Sequence, residues 1–95
     1  PLDEAAILAS VRKTGRLVVV HEASRTCGIG AEVAALVAER AHASLRAPVL
    51  RLTGPDAPVA ASWPLEQAFV PQATAVVEAV RRQLQARPAR EAALP

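Results

Sequence analysis

Blocks of apolar residues predict the first elements of the chain. Ile7, Leu8 and Val11 fall on one face of a helix of about three turns. Asp3 is a suitable N-terminal cap for this helix, and Gly15 is the expected left-handed residue at its end. The chain therefore begins with a short helix that needs tertiary support to be stable.

The next block, residues 17–20, is continuously apolar rather than alternating. A strand that is apolar on both faces is typical of the middle of a parallel sheet covered by helices. Residues 21–30 follow as a polar turn that contains two glycines, Gly28 and Gly30. The pattern thus predicts a buried strand that ends at Val20.

A second helix is predicted from about Ile29 to Leu45, because apolar residues recur there at helical spacing. Residues 48–52 form a second strand, and a connection rich in proline follows it. Residues 65–69 form one short turn, and a final helix begins near Pro71 and is ended by Pro88. The apolar stripe predicted for this last helix comprises Ala73, Val76, Val77, Val80 and Leu84.

The predicted order is helix, strand, helix, strand, loop, helix. A strand, a helix of this length and a second strand imply a right-handed parallel crossover, so the fold class is α/β. The boundaries are one domain over residues 1–86 and a flexible tail over residues 87–95. Because no strand precedes the first helix, we expect the domain to be truncated on its N-terminal side.

Composition narrows the class of protein. The chain has 95 residues, of which 52% are hydrophobic and 2% aromatic, so one small core is built mainly from Ala, Val and Leu. The net charge of +2 is spread thinly and lacks stacking aromatic residues, which argues against nucleic-acid binding. With one cysteine no internal disulfide can form, and no apolar run approaches the roughly 20 residues of a membrane span. A cytoplasmic protein that does not enter membranes is predicted.

Two segments could carry chemistry, and each has a structural alternative. His21 could shuttle protons at the end of a strand, or it could hydrogen-bond the turn or a neighbouring chain. Cys27, Gly28 and Gly30 open a helix as a phosphate-binding turn would, but Val33 stands where a dinucleotide fingerprint has Gly or Ala. The glycines could instead permit close approach of another backbone, and Cys27 could be a small buried residue.

No metal site is predicted, because His21 and His42 are the only histidines and no spacing of carboxylate and histidine recurs. Charged residues instead follow the two strands, whose ends lie side by side in a parallel pair. Opposite charges there suit a polar subunit interface that fixes register. The predicted interface comprises Glu22, Arg25, Gly28, Gly30, Glu32, Arg51 and Asp56.

Four segments, in order and without large gaps, resemble one family of proteins. They read VRKTGRLVVVHEA at 11–23, GIGAEV at 28–33, APVLRLTGPDAP at 47–58 and LEQAFVP at 65–71. This pattern resembles the C-terminal, transketolase-type domain of bacterial thiamine-diphosphate-dependent 2-oxo acid dehydrogenase beta subunits. Cys27 departs from it, since the family often has Gly there, and so does the stretch 60–63.

The resemblance implies a three-layer α/β/α sandwich around a mainly parallel sheet. It also implies that the parent enzyme, an oxidoreductase, decarboxylates pyruvate or branched-chain 2-oxo acids with thiamine diphosphate and magnesium. The residues that act on the cofactor come from other regions in that family. The 95-residue chain is therefore expected to bind neither cofactor nor metal, to hold no catalytic residue and to be inactive alone.

By the same resemblance, the expected partners are the alpha subunit, a second beta subunit and the dihydrolipoyl acyltransferase core. The domain would give subunit contacts within a heterotetramer and dock the enzyme to that core. Two other functions remain open at this point. One is a free-standing interaction or regulatory module derived from such a domain, and the other is a small enzyme that uses His21 and Cys27.

Overall fold

The computed structural model describes residues 1–86. The predicted flexible tail, residues 87–95, lies outside the described residues, as does Pro88. The helices and strands follow the predicted order. They are α1 (Glu4–Thr14), β1 (Val18–Ser24), α2 (Ile29–Arg40), a 3₁₀ turn (His42–Ser44), β2 (Leu50–Gly54), α3 (Trp63–Phe69) and α4 (Ala73–Gln85).

Both ends of α1 are set by the residues that the sequence marks. The Asp3 carboxylate accepts a hydrogen bond from the Ala6 backbone N–H at 3.0 Å. Gly15 adopts φ 71° and ψ 9°, and its N–H donates to the Val11 carbonyl at 2.7 Å. A left-handed glycine after the last turn satisfies a carbonyl that would otherwise lack a partner. These predictions are confirmed.

The first strand is longer than predicted and continues from Val18 to Ser24. It pairs in parallel with β2, in a register that joins Val19 to Arg51 and Ser24 to Gly54. The register is irregular between Val20 and Ser24. The prediction that residues 21–24 belong to a turn is therefore wrong: their backbone stays close enough to β2 to continue the sheet although their side chains are polar.

Helices cover the two faces of this small sheet. Val19 packs against the backbone of Gly30 in α2, while the neighbouring Val18 lines a groove with Val80 and Leu84 of α4. Since successive strand residues point to opposite faces, α2 and α4 lie on opposite sides of the sheet. The sheet therefore lies between two helical layers in the described part of the chain, which makes three layers as expected, and α1 packs on α2.

The core lies between α1 and α2. Its buried members are Leu8, Val11, Leu36, Val37 and Ala41. Helix α2 ends at Arg40 rather than at the predicted Leu45, because Ala41 leaves the helical conformation at φ −138°. The chain then turns through the 3₁₀ segment and returns Leu45 to the edge of this core.

The face of α4 that packs inward differs from the predicted stripe. Ala79 and Gln83 are its buried residues, whereas Val77, Val80 and Leu84 are 49%, 43% and 65% exposed. The Gln83 side chain donates to the carbonyls of Leu17 and Pro48, which precede the two strands. Because these carbonyls fix α4 by hydrogen bonding, its most apolar side chains are turned outward.

The prediction that the first strand is covered along both faces is also wrong, since Val20 is 45% exposed. It lies on the same face of β1 as Val18, the face that α4 covers only in part.

No helix within residues 1–86 is long and apolar enough to cross a membrane.

Candidate functional site

The turns that follow β1 and β2 meet beside a residue of β2, Arg51, in a group of side chains that we name the strand-end cluster: Arg25, Thr26, Arg51 and Asp56. Each arginine donates to the backbone carbonyl of the other, at 3.2 Å from Arg25 and 3.0 Å from Arg51. The Asp56 carboxylate accepts from the Thr26 N–H at 2.8 Å and from the Thr26 hydroxyl at 2.7 Å. Two of these four hydrogen bonds tie the turn after β1 to the turn after β2, and the other two tie it to the strand β2 itself.

Asp56 is held as a carboxylate by this geometry. Its pKa lies below the ordinary aspartate value, chiefly because the Thr26 hydroxyl donates to it and then because the Thr26 N–H does. Arg25 contributes less, both through its backbone and through its charge. Hydrogen bonds to the charged form of an acid favour that form, so Asp56 is an acceptor at neutral pH rather than a proton donor.

Acidification is expected to release Asp56 from Thr26. Because the folded-state pKa is lowered, the stabilisation is complete above the ordinary aspartate value of about 3.9 and is lost as pH falls through the lowered value. An NMR titration that follows the Asp56 carboxyl carbon and the Thr26 amide would measure this. Thr26→Val removes the hydroxyl donor and should raise the pKa of Asp56; identical titrations in the two proteins would contradict the assignment.

His21 lies in β1, four residues before Arg25, and its ring faces α2. Its Nε2 is 3.1 Å from the Gly30 backbone nitrogen, and its Nδ1 is 3.2 Å from the Ala23 carbonyl oxygen. The N-terminal cap position of α2, Gly28, offers no side-chain acceptor. His21 therefore supplies the acceptor for a free N–H in the first turn of α2, a role that a capping side chain usually fills.

The glycines of this turn are needed where they stand because the chain approaches itself closely. A Cβ on Gly30 would overlap the His21 ring, and a Cβ on Gly28 would overlap the Ser24 carbonyl. The turn is thus packed closely against β1.

Within residues 1–86, no group of three or more His, Cys, Asp or Glu side chains could hold a metal ion.

Residues 1–76 match the family model of the transketolase C-terminal domain. The chain belongs to this family. Its fold of helices on a parallel pair of strands agrees with that membership.

Relatives of this transketolase C-terminal domain are beta subunits. The chain is 49% identical to the pyruvate dehydrogenase E1 component subunit beta of Leifsonia xyli subsp. xyli over 88% of the chain and 25% of that protein. It is 57% identical to the 2-oxoisovalerate dehydrogenase subunit beta of Pseudomonas aeruginosa over 61% of the chain and 17% of that protein. It is 43% identical to the acetoin:2,6-dichlorophenolindophenol oxidoreductase subunit beta of Bacillus subtilis over 81% of the chain and 22% of that protein. The chain spans a quarter or less of these relatives.

In this transketolase C-terminal domain the predicted interface residues fall into three groups. Arg25, Arg51 and Asp56 do come together, although their bonds run to backbone atoms and to Thr26 rather than across an ion pair. Gly28 and Gly30 stand against their own chain, so their close approach is internal. Glu22 and Glu32 are exposed, and neither forms an ion pair within residues 1–86.

Two residues that matter here were missed by the sequence reasoning. Thr26 carried no signal, because a threonine in a polar turn is ordinary and its partner lies 30 positions away. Gln83 did carry one, since a glutamine three residues after Val80 and four after Ala79 lies on the helix face that was expected to be apolar. A polar side chain at such a position indicates a buried hydrogen-bonding role.

Cys27 adopts a left-handed backbone conformation, with φ 60°, and its side chain is exposed. Cys27→Gly is therefore expected to leave stability unchanged or to raise it by up to about 1 kcal/mol, because relief of strain exceeds the entropy of glycine only slightly. Cys27→Val should destabilise by about 1–3 kcal/mol, since a β-branched residue resists this conformation. Urea unfolding would compare the two, and equal midpoints would show that the conformation is different.

Proposed function

We propose that the chain is the C-terminal assembly domain of the beta subunit of a thiamine-diphosphate-dependent 2-oxo acid dehydrogenase. The parent enzyme oxidatively decarboxylates pyruvate or a branched-chain 2-oxo acid in the cytoplasm. The domain gives contacts to the alpha subunit and to a second beta subunit, and it docks the enzyme to the dihydrolipoyl acyltransferase core. It takes no part in the chemical step.

The relatives support an assembly role over a substrate-binding one. Their names refer to pyruvate, 2-oxoisovalerate and acetoin, yet this chain is 49%, 57% and 43% identical to them over the matched regions. Sequence features shared by beta subunits that are named for different substrates are expected to serve a task common to all of them. Joining other subunits is such a common task.

The observation that carries the proposal is the outward apolar stripe of α4, formed by Val77, Val80 and Leu84. These side chains are three and four positions apart and therefore lie on one face of the helix. They are 43–65% exposed, and two of them border a groove that Leu17 and Val18 line. Contiguous exposed apolar surface of this kind marks an interaction site.

The turns beyond the strands form a second, polar contact surface in this proposal. Arg25 and Asp56 are exposed there, with their charges fixed in position by the bonds of the strand-end cluster. Arg51 holds the cluster together, and Glu22 and Glu32 add exposed carboxylates. A rigid polar surface suits the selection of a partner more than the strength of its binding.

Thiamine diphosphate and magnesium belong, in this proposal, to the remainder of the parent enzyme and its alpha subunit. Magnesium prefers carboxylates together with phosphate oxygens, and residues 1–86 offer no cluster of such ligands. His21 has both ring nitrogens engaged by its own backbone. The residues present therefore do not fit the cofactor.

The test uses the beta subunit that carries this domain, expressed together with its alpha subunit. Val80→Asp and Leu84→Asp place charges on the stripe and are expected to weaken assembly by more than about tenfold, which corresponds to 1.4 kcal/mol or more. Sedimentation velocity measures the assembly, and circular dichroism measures the fold. Both residues are exposed, so the isolated fold should persist.

Gln85→Asp is the matched control. It adds the same charge in the same turn, but it lies with Glu78 and Arg81 on the neighbouring face of α4. If all three variants assemble like the wild type, the stripe is not a subunit contact. If all three fail equally, the effect is one of charge alone. Capture by the acyltransferase core, measured on the same variants, tests docking separately.

A further inference from the structure

His21 is held in one neutral tautomer. The Gly30 backbone N–H can only donate, so the Nε2 that receives it, at 3.1 Å, carries a lone pair. The Ala23 carbonyl can only accept, so the Nδ1 at 3.2 Å carries the proton. The two contacts together leave no place for a second ring proton.

The ring also lies close against the first turn of α2. A Cβ on Gly30 would overlap Nε2 and stand 2.6 Å from Cδ2, and a Cβ on Gly28 would stand 3.1 Å from Cε1. His21 lies within the part of β1, between Val20 and Ser24, where the register with β2 is irregular. The ring therefore joins β1 to the first turn of α2, beside the contact of Val19 with Gly30.

We propose that protonation of His21 opens the turn between β1 and α2. A proton on Nε2 would place one donor against another, the Gly30 N–H, and would bring a positive charge to the positive end of the α2 dipole. Either the ring or the first turn of α2 must then move. The neutral form carries the hydrogen bond, so the turn is closed while Nε2 is bare and opens when Nε2 takes up a proton at lower pH.

The charged groups around the ring do not replace the lost bond. On α2 the nearest in sequence is Glu32, and on β2 it is Arg51, which shares the sheet face of Val19 and sends its guanidinium to the Arg25 carbonyl. The turn itself contributes Arg25 and the Cys27 thiol. Within residues 1–86 the ring's hydrogen-bonding partners are two uncharged backbone groups: the Ala23 carbonyl accepts from Nδ1 in either charge state of the ring, whereas the Gly30 N–H cannot accept a proton from Nε2.

Hydrogen exchange followed by mass spectrometry on the peptide covering residues 22–31 tests the proposal. After correction for the intrinsic pH dependence of exchange, the rate is expected to rise about tenfold between roughly pH 8 and 5, the range in which histidine changes charge. His42→Gln should behave like the wild type, because His42 is the other, exposed histidine. Glu32→Gln should leave the rise in place, whereas His21→Gln should abolish it.

A second measurement does not depend on any variant. The ¹⁵N shifts of the His21 ring at about pH 8 should show Nδ1 protonated and Nε2 bare. A ring protonated on Nε2, a flat exchange profile in the wild type, or an equal rise in His21→Gln would each overturn the proposal. None of these results bears on subunit assembly, so this proposal and the proposed function fail separately.

Discussion

Replacing Val37 by aspartate is expected to unfold the domain. Val37 is 0% exposed and lies at the centre of the core, where α2 meets Leu8 and Val11 of α1. An aspartate there would bury a carboxyl group among apolar side chains with no donor to receive it. The penalty is several kcal/mol, comparable with the whole stability of about 5–15 kcal/mol of an ordinary domain.

Ala38→Asp provides the control for this substitution. Ala38 is the next residue of α2 and is exposed, so the same side chain enters water, and the cost is limited to helix propensity and to a negative charge in the last turn, together about 1–2 kcal/mol or less. Circular dichroism and urea unfolding would separate the two variants. A folded Val37→Asp protein with the midpoint of the wild type would mean that α1 and α2 do not form the core.

Gly54→Ala is expected to destabilise the domain by at least about 2–3 kcal/mol, a large effect for one methyl group. Gly54 is buried at the end of β2 and pairs with Ser24. A Cβ there would overlap the Glu22 carbonyl oxygen and stand 2.8 Å from Cε1 of Phe69. Backbone atoms cannot step aside as a flexible side chain can, so the strands would have to separate.

A double variant shows which of the two obstacles decides the result. Phe69→Leu removes the ring from the neighbourhood of Gly54 but leaves the Glu22 carbonyl in place. Gly54→Ala should therefore remain strongly destabilising when it is combined with Phe69→Leu, in a cycle of urea-unfolding measurements that includes both single variants. Full rescue by Phe69→Leu would show that the side chain, and not strand pairing, excludes a Cβ.

The two contact surfaces of the proposed function have different physical character. The α4 stripe is apolar and exposed because Gln83, and not a valine, anchors the helix to the sheet. The strand-end cluster is polar, and its charges are held by the backbone of the same chain. The first surface can supply binding energy through burial, and the second can supply orientation.

Several features followed from the sequence alone because their causes are local. The Asp3 cap and the left-handed Gly15 act within four residues of the helix ends that they define. The order of elements and the parallel pairing of the two strands followed from apolar blocks of the right length. The family was recognisable because glycines, prolines and charges agree in four separate segments, and the match over residues 1–76 confirms it.

Other features were decided only when the chain folded. The length of β1, the bond between Thr26 and Asp56 and the inward turn of Gln83 each depend on atoms that lie far apart in sequence. Periodicity identifies the apolar side of a helix. It does not reveal that two backbone carbonyls at the start of the sheet need a hydrogen-bond donor from the polar side. The physical reason is that an unpaired buried polar group is costly, so in these cases hydrogen bonds between distant segments overrode the local pattern.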